Sequence, residues 1–238
     1  MKFDILTLFP EMFEHTLGSS IIGRAQSDEK LTVHCINIRD FAGNKHNKVD
    51  DYPYGGGPGM IMQPQPVFDA YMSIAQNLDY KPFVIYLTPQ GRVFRQSTAK
   101  RLSRKKHIVL LCGHYEGIDQ RVLDSIVDME LSIGDYVLTG GEIPAMAVVD
   151  AIARLLPGVL SSPDAYSNES LQGSLLEHPQ YTRPPTWMGR AVPEILISGH
   201  HGNIEKWKRE QSILTTLRKR RSLLSKANLT DEEKNLLD

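Results

Sequence analysis

Three glycine-containing loops carry most of the side chains in this sequence that could bind a small molecule. TPQG at 88–91 follows the apolar run FVIYL, GHYEG at 113–117 follows IVLLC, and IGDYVLTGG at 133–141 follows a further apolar run. Glycine lets a backbone approach a flat ligand closely and offer bare N–H and C=O groups. One such loop is usually a plain turn, but three that also carry tyrosine or a carboxylate favour a pocket for a partly aromatic ligand.

Two common nucleotide-binding fingerprints are absent. No GxGxxG follows a strand, which disfavours a nucleotide-dependent oxidoreductase, and no GxxxxGK[ST] occurs, which disfavours a P-loop NTPase. The two cysteines, Cys35 and Cys112, lie far apart and outside any Cys/His cluster, so we expect no structural zinc site.

Charge is distributed unevenly along the chain. The formal net charge is −1, so any affinity for nucleic acid must come from local clusters. Gly91–His107 contains seven Lys/Arg and no acid, and Gly199–Arg221 contains seven against two acids. Solvated helix faces explain such runs as well as phosphate binding does, and the sequence leaves both interpretations open.

Apolar runs alternate with segments of helical character. The runs predict strands within 2–9, 31–38, 83–87, 108–112 and 127–133. Helices are predicted over 97–106, 117–125 and 143–156. This alternation predicts an α/β fold with a mostly parallel sheet. Ligands of such sheets bind at the carboxyl ends of the strands, where the three loops begin.

The composition changes after about residue 160. Residues 1–160 are predicted to form the α/β domain, and the serine-rich segment 161–175 a flexible linker. Residues 176–238 are predicted to form a small helical C-terminal domain. No run of about 18 apolar residues is present, so we expect no transmembrane helix and no membrane partner. The N-terminal MKFDILTLFP predicts a first strand rather than a signal peptide, so we expect a cytoplasmic protein.

Five motifs in order resemble a known family. They are GGGPGM (55–60), YLTPQGR (86–92), LLCGHYEGIDQRV (110–122), LSIGDYVLTGGEIPA (131–145) and YTRPP (181–185). The resemblance is to the bacterial tRNA (guanine-N(1)-)-methyltransferases of the SPOUT class. It extends over essentially the whole chain, to SGHHGNIEKWKREQS near its end.

The resemblance implies a fold, a cofactor and a substrate. The fold would be a SPOUT-type parallel sheet with a deep trefoil knot, an exception to the rule that chains do not thread loops. The cofactor would be S-adenosyl-L-methionine, bound in the knot of a homodimer whose active site lies between subunits. The substrate would be tRNA, methylated on N(1) of the guanosine immediately 3′ of the anticodon where another guanosine precedes it, with the C-terminal domain binding tRNA. The implied cofactor-binding residues are Tyr86, Leu87, Pro89, Gly91, Gly113, Tyr115, Glu116, Gly117, Ile133, Gly134, Asp135, Tyr136, Val137, Leu138, Gly140, Gly141 and Pro144.

The family's chemistry needs a base and a cation. The target nitrogen carries a proton that a base must remove, and the neighbouring carbonyl oxygen gains negative charge. By the resemblance, Arg154 is the cation, and Glu169 stands where the family pattern has an aspartate followed by serine. Glutamate is also a carboxylate but is one methylene longer, and Asp164 is a weaker substitute. We therefore predict Glu169 as the general base.

The remaining predicted contacts concern the substrate. Asp50 and the glycine-rich segment 55–59, which ends at Gly59, are expected to shape the guanosine pocket. Arg183 is expected to contact the tRNA backbone. Glu116 is expected near the target base or near a magnesium ion. Mg2+ is implied by the resemblance alone, since the sequence shows no cluster of metal ligands.

Two alternatives stay open beside this interpretation. One is a SPOUT methyltransferase acting on another RNA, which the GGGPGM segment and the helical C-terminal region disfavour. The other is a non-catalytic RNA-binding homologue, which the glutamate at 169 allows but the intact set of cofactor loops disfavours.

Overall fold

A computed structural model describes residues 1–161, 169–171 and 174–237. The chain divides into two compact units, Met1–Ser161 and Ser162–Asp238. The weaker candidate base, Asp164, and most of the predicted linker lie outside the described residues.

A five-stranded parallel sheet forms the first unit. Its strands are β1 (Lys2–Thr7), β2 (Thr32–Asn37), β5 (Phe83–Val93), β6 (His107–Cys112) and β7 (Met129–Ser132). Their order is β2-β1-β6-β5-β7, and every neighbouring pair is parallel. The short strands β3 (Asp50–Asp51) and β4 (Ile61–Met62) form a separate antiparallel pair. The predicted α/β fold with a parallel sheet is confirmed.

Helices cover both faces of this sheet, which explains why its strands are continuously apolar. All six residues of β6 are buried, as expected for a central strand covered on both sides. The first face packs against α1 (Glu11–Leu17), α2 (Ser20–Ser27), α4 (Gln96–Leu102) and α6 (Glu142–Ala153). The second face packs against α3 (Pro64–Ala75), α5 (Gln120–Ile126) and the 3₁₀ helix Ile38–Phe41.

The three glycine-containing loops begin at the carboxyl edge of the sheet. β5 runs beyond this edge as TPQGRV, and its pairing with β7 shifts register between Leu87 and Arg92. β6 ends at Cys112, and α6 begins at Glu142 with Pro144 in its first turn, where the missing N–H costs nothing. The three predicted loops therefore leave neighbouring strands at one edge.

The described residues of the second unit form helices and one short hairpin. The strands β8 (Thr186–Trp187) and β9 (Arg190–Ala191) pair antiparallel. The helices are Glu194–Ile197, His201–Arg220 and Asp231–Lys234, with 3₁₀ segments at Arg221–Lys226 and Asn235–Leu237. Thr230 and Glu233 form a capping box at the start of the last of these α-helices. No helix among the described residues is long and apolar enough to cross a membrane.

Candidate cofactor and substrate site

A cavity of about 290 Å³ opens at the carboxyl ends of β5, β6 and β7. Its walls come from the three glycine-containing loops. The residues that line it are Tyr86–Gln90, Gly113–Gly117, Leu131–Gly134, Tyr136–Gly141 and Pro144. The loops that the sequence singled out therefore converge on a single concave site.

The predicted cofactor residues all line this cavity except Gly91 and Asp135. Gly91 packs against β7, because a Cβ there would lie 2.3 Å from the backbone nitrogen of Leu131. Cofactor contacts of these two residues stay predictions, as do the roles of the others. Six further lining residues were not named individually. Four of them lie inside the predicted loops, namely Thr88, Gln90, His114 and Thr139, whereas Leu131 and Ser132 lie immediately before the third loop. Their positions inside or beside the predicted loops were the only available signal.

Two glycines form a wall that leaves no room for side chains. A Cβ on Gly140 would lie 2.3 Å from Glu142 Oε2, and a Cβ on Gly141 would lie 2.7 Å from Cys112 Cα. The N–H of Gly141 donates to the carbonyl of Gly113 at 2.9 Å and so joins two of the loops. A ligand can therefore approach bare backbone on this side of the cavity.

Polar groups lie in and behind the same wall. Glu142 is 3% exposed, and its Oε1 accepts a hydrogen bond from the Thr7 hydroxyl at 2.8 Å. The Nδ1 atom of His114, a lining residue, is buried without a hydrogen-bond partner among the described residues. Buried polar atoms normally have a hydrogen-bond partner. A ligand group that hydrogen-bonds to Nδ1 would therefore remove the free-energy penalty of leaving this atom unpaired. A bare backbone wall together with an unsatisfied imidazole nitrogen fits a ligand that combines a flat ring and polar groups, as S-adenosylmethionine does.

Tyr86 forms the floor between the loops of β5 and β6. Its side chain is mostly buried, and a Cβ on Gly113 would lie 3.0 Å from the Tyr86 ring. Burial raises the pKa of the Tyr86 hydroxyl, and a hydrogen bond with Thr88 acts in the opposite direction. Tyr86 therefore stays neutral at physiological pH and offers a ring edge and a hydroxyl rather than a charge.

A larger cavity of about 980 Å³ adjoins the first one. Five residues line both cavities: Tyr86, Thr88, Gln90, Glu116 and Gly117. The far side of the larger cavity is formed by Asp51–Tyr54, Ile61–Gln65 and Ile118–Arg121. A ligand in the first cavity and a ligand in the second would therefore meet across a shared wall.

Asp50 and Gly59 lie beside this second cavity rather than on its lining. Asp50 pairs with Met62 in the β3–β4 ladder, and its neighbour Asp51 lines the cavity instead. Gly59 has φ +85°, and a Cβ there would lie 2.4 Å from Cγ of Glu116. Gly59 therefore makes room for the Glu116 side chain.

The model of the family described as tRNA (guanine-1)-methyltransferase TrmD matches residues 1–226. The chain belongs to this family. A tRNA (guanine-N(1)-)-methyltransferase of Ruminiclostridium cellulolyticum is 56% identical over 237 residues and covers 100% of both chains. Proteins of the same name from Alkaliphilus oremlandii and Clostridioides difficile are each 54% identical, covering 100% and 96% of this chain and 98% and 99% of their own. The predicted TrmD family and enzyme class are confirmed.

Three predicted site residues remain, and they are far apart in the sequence: Arg154, Glu169 and Arg183. Arg154 immediately follows α6, and its N–H donates to the carbonyl of Asp150 at 3.2 Å. Glu169 and Arg183 belong to the second unit, where Arg183 is exposed just before β8. Their predicted roles stay predictions.

The described residues contain no group of three or more His, Cys, Asp or Glu side chains that could hold a metal ion. Glu116 is the predicted magnesium neighbour and lines both cavities, but within the described part of the chain it belongs to no such group. These residues do not form a ready-made Mg2+ site.

Proposed function

We propose that this chain transfers a methyl group from S-adenosylmethionine to N(1) of the guanosine immediately 3′ of the anticodon in tRNA. The observation that carries this proposal is the pair of adjoining cavities with a shared wall of five residues. Membership in the TrmD family supports the reaction and the substrate class. A donor and an acceptor that both contact these five residues lie next to each other, as a direct in-line transfer requires.

When bound, S-adenosylmethionine supplies a methyl group activated by a positively charged sulfur. The glycine wall at Gly140 and Gly141 orients the ligand through backbone groups, while Tyr86 and Glu116 lie between the two cavities. Pro89 and Pro144 add apolar surface on the cofactor side. These residues bind and orient the reactants, and proton removal needs further groups.

Glu169 is the proposed base and Arg154 the proposed cation. Glu169 takes the proton from guanine N(1), which contributes about 10²–10⁴-fold in rate for a positioned base. Arg154 faces the guanine carbonyl oxygen, where a fixed donor contributes about 3–4 kcal/mol. Glutamate in place of the family's aspartate extends the carboxylate by one methylene, which a shift of the backbone at 169 accommodates.

The length of α6 supports a homodimer with the active site between subunits. This helix has 12 residues, begins at the glycine wall, and contributes only Pro144 to the cavity lining. At about 1.5 Å per residue it spans about 18 Å, more than an arginine side chain can bridge. Arg154 therefore acts on the cavity of the partner subunit.

The proposal includes further points inherited from the family. The chain forms a trefoil knot around the cofactor and acts in the cytoplasm. The second unit, with Arg183, contacts the tRNA backbone. Asp50 and Gly59 support the guanosine pocket from behind.

The decisive assay is methyl transfer from labelled S-adenosylmethionine to two tRNA transcripts. They differ only in guanosine or adenosine immediately 3′ of the anticodon. We expect label on the guanosine transcript alone. Label on neither transcript, with the cofactor still bound, contradicts the proposed reaction, and label on both contradicts the proposed position.

Variants then test the two catalytic roles. Glu169→Ala is expected to lower kcat by about 10²–10⁴-fold, while Glu169→Asp retains most activity. Mixed dimers of Arg154→Ala and Gly141→Trp should regain activity that neither variant has alone, because one intact cavity then faces one intact arginine. Mixed dimers that stay inactive contradict an active site shared between subunits.

A further inference from the structure

A separate cavity opens at the amino edge of the parallel sheet, at the other end of the strands from the cofactor loops. Its volume is about 220 Å³, and we call it the amino-edge cavity. The residues that line it are Tyr80–Phe83, Lys105–His107 and Asp128. β6 begins here at His107 and ends at Cys112 beside the cofactor cavity, so its six residues separate the two sites by about 17 Å.

Three lysines give the amino-edge cavity an excess of positive charge. Lys81, Lys105 and Lys106 line it, and the only carboxylate in the lining is that of Asp128. One oxygen of this carboxylate accepts from Lys81 Nζ at 2.8 Å, and the other accepts from the N–H of Val84 at 2.9 Å. Because both oxygens of Asp128 are engaged in this way, two ammonium groups have no carboxylate partner in the lining.

Two of the three ammonium groups are already held in place. Lys81 is held by Asp128, and Lys105 Nζ lies 4.2 Å from the centre of the Phe83 ring in a cation–π contact. A side chain that is held in position loses less conformational freedom when it contacts a ligand. Lys106 makes no ion pair or cation–π contact with any described residue, so its charge is available to a ligand.

A buried chain of hydrogen bonds fixes the tyrosine beside these lysines. Tyr80 is 48% exposed, but its hydroxyl lies 3.1 Å from Nδ1 of His107. Nε2 of His107 lies 2.7 Å from Oδ2 of Asp4, and both of these side chains are buried. Burial lowers the pKa of His107, so the imidazole is neutral at pH 7. Nε2–H then donates to the Asp4 carboxylate, and the Tyr80 hydroxyl donates to Nδ1 and holds its ring as a fixed wall of the cavity.

The lysines belong to the basic run Gly91–His107, for which the sequence left a solvated helix face and phosphate binding open. Lys100 and Arg101 lie in the last turn of α4, and neither lines the amino-edge cavity. Lys105 and Lys106 follow this helix and do line the cavity. The run therefore has a helix-face part and a cavity part, and the helix-face part supplies matched controls.

The size and charge of the cavity match a small dianion. Its volume lies below the range of about 300–1,000 Å³ for a whole drug-sized ligand. Lysine binds phosphate as a point charge, and a phosphate monoester carries a charge of about −1.5 to −2 at pH 7. Such a group matches two unpaired ammonium groups better than the single charge of a nucleic-acid diester does.

We propose that the amino-edge cavity binds a phosphate dianion, either inorganic phosphate or the terminal phosphate of a small metabolite, with Lys105 and Lys106 as its cationic contacts. The site is remote from the transferred methyl group, so its test does not depend on the proposed reaction.

An NMR titration tests this site with inorganic phosphate and with glycerol 3-phosphate as probes. The readout is the shift of the amide signals of Lys105–His107, with those of Gly113–Gly117 as an internal reference for the cofactor loops. Lys106→Gln is compared with Lys100→Gln, which removes the same charge from α4 outside the cavity. Ionic strength is held constant with sodium chloride, and the Kd for S-adenosylmethionine is the control for folding.

We expect saturable shifts with both probes, a Kd about tenfold weaker in Lys106→Gln, and a Kd as in the wild type in Lys100→Gln. Shifts that do not saturate by about 10 mM phosphate overturn the site. Equal losses in the two variants also overturn it, because they indicate general attraction to positive charge.

A short single-stranded RNA without a terminal phosphate distinguishes the two sources of phosphate. We expect Lys106→Gln and Lys100→Gln to bind this RNA equally. A loss of RNA binding confined to Lys106→Gln, without a loss of phosphate binding, assigns the cavity to a backbone diester and overturns the proposed dianion.

Discussion

One buried hydrogen bond beneath the cofactor cavity allows a quantitative test. The Thr7 hydroxyl at the end of β1 donates to Glu142 Oε1 at the start of α6, over 2.8 Å. The same hydroxyl accepts the N–H of Phe9 at 3.0 Å. Thr7 is 0% exposed and Glu142 is 3% exposed, so solvent cannot replace either bond.

Replacing Thr7 with valine keeps the shape and removes the hydroxyl. A hydrogen bond to a charged group contributes about 1.5–3 kcal/mol, and one to a neutral group about 0.5–1.5 kcal/mol. We therefore expect Thr7→Val to lower the free energy of unfolding by about 2–4 kcal/mol. Thr7→Ser, which keeps the hydroxyl and loses one methyl group, should cost only about 1 kcal/mol.

Urea unfolding of four proteins measures this effect: the wild type, Thr7→Val, Glu142→Gln and the double variant. The amide introduced by Glu142→Gln still offers a carbonyl oxygen to the hydroxyl but carries no charge, so Thr7→Val should cost less in that background. Two results would refute the reasoning. One is a Thr7→Val protein within about 0.5 kcal/mol of the wild type. The other is an equal loss in both backgrounds.

Further predictions concern the cavity wall, a buried histidine and the second unit. Gly141→Ala places a Cβ 2.7 Å from a backbone atom of β6 and should weaken S-adenosylmethionine binding, measured by calorimetry. The control is Gly202→Ala, where a Cβ would have no atom within 4 Å, so the stability of the protein should stay the same or rise. Burial lowers the pKa of His107 below its ordinary value of 6.5, so the unfolded chain binds a proton that the folded chain does not. Stability should therefore fall as pH drops below about 6.5, by at most about 1.4 kcal/mol per pH unit from this group, and urea midpoints of His107→Gln should depend less on pH. Arg209 contacts Glu233 at 2.8 Å and 3.2 Å, so Arg209→Gln should speed amide exchange in Asp231–Lys234, and unchanged exchange there would contradict this.

The parallel sheet and the cofactor loops were predictable because both leave local signals. Continuous apolar runs indicated strands covered on both faces, and glycines directly after those runs indicated loops at one edge. The structure confirms the sheet and brings the three loops together around one cavity. Helix bounds were less accurate: the helix predicted over 97–106 is Gln96–Leu102, and the one over 143–156 is Glu142–Ala153.

The second cavity could not be predicted from the sequence. Its lining combines the β3–β4 region with the segment after β6, which are about 60 residues apart and joined by hydrogen bonds such as Glu116 N–H to the Met60 carbonyl at 3.0 Å. Only tertiary contacts reveal that Asp51, rather than its neighbour Asp50, faces this space. The helices α1, α2 and α3 were also missed, although α3 begins at Pro64, a residue type that favours the first turn of a helix.

The place of β1 in the sheet has a consequence for how the chain folds during synthesis. β1 is made before the other four strands of its sheet, yet it lies between β2 and β6, and its partners in β6 begin at His107. At about 5–20 residues per second, a ribosome needs about 5–20 s to make the intervening chain. During that interval β1 can pair with β2 alone. The other edge of β1, which contains Phe3 and Ile5, stays unpaired until β6 has been made. Nascent chains of this protein should therefore depend on holding chaperones until β6 has emerged, after which the sheet can close around its oldest strand.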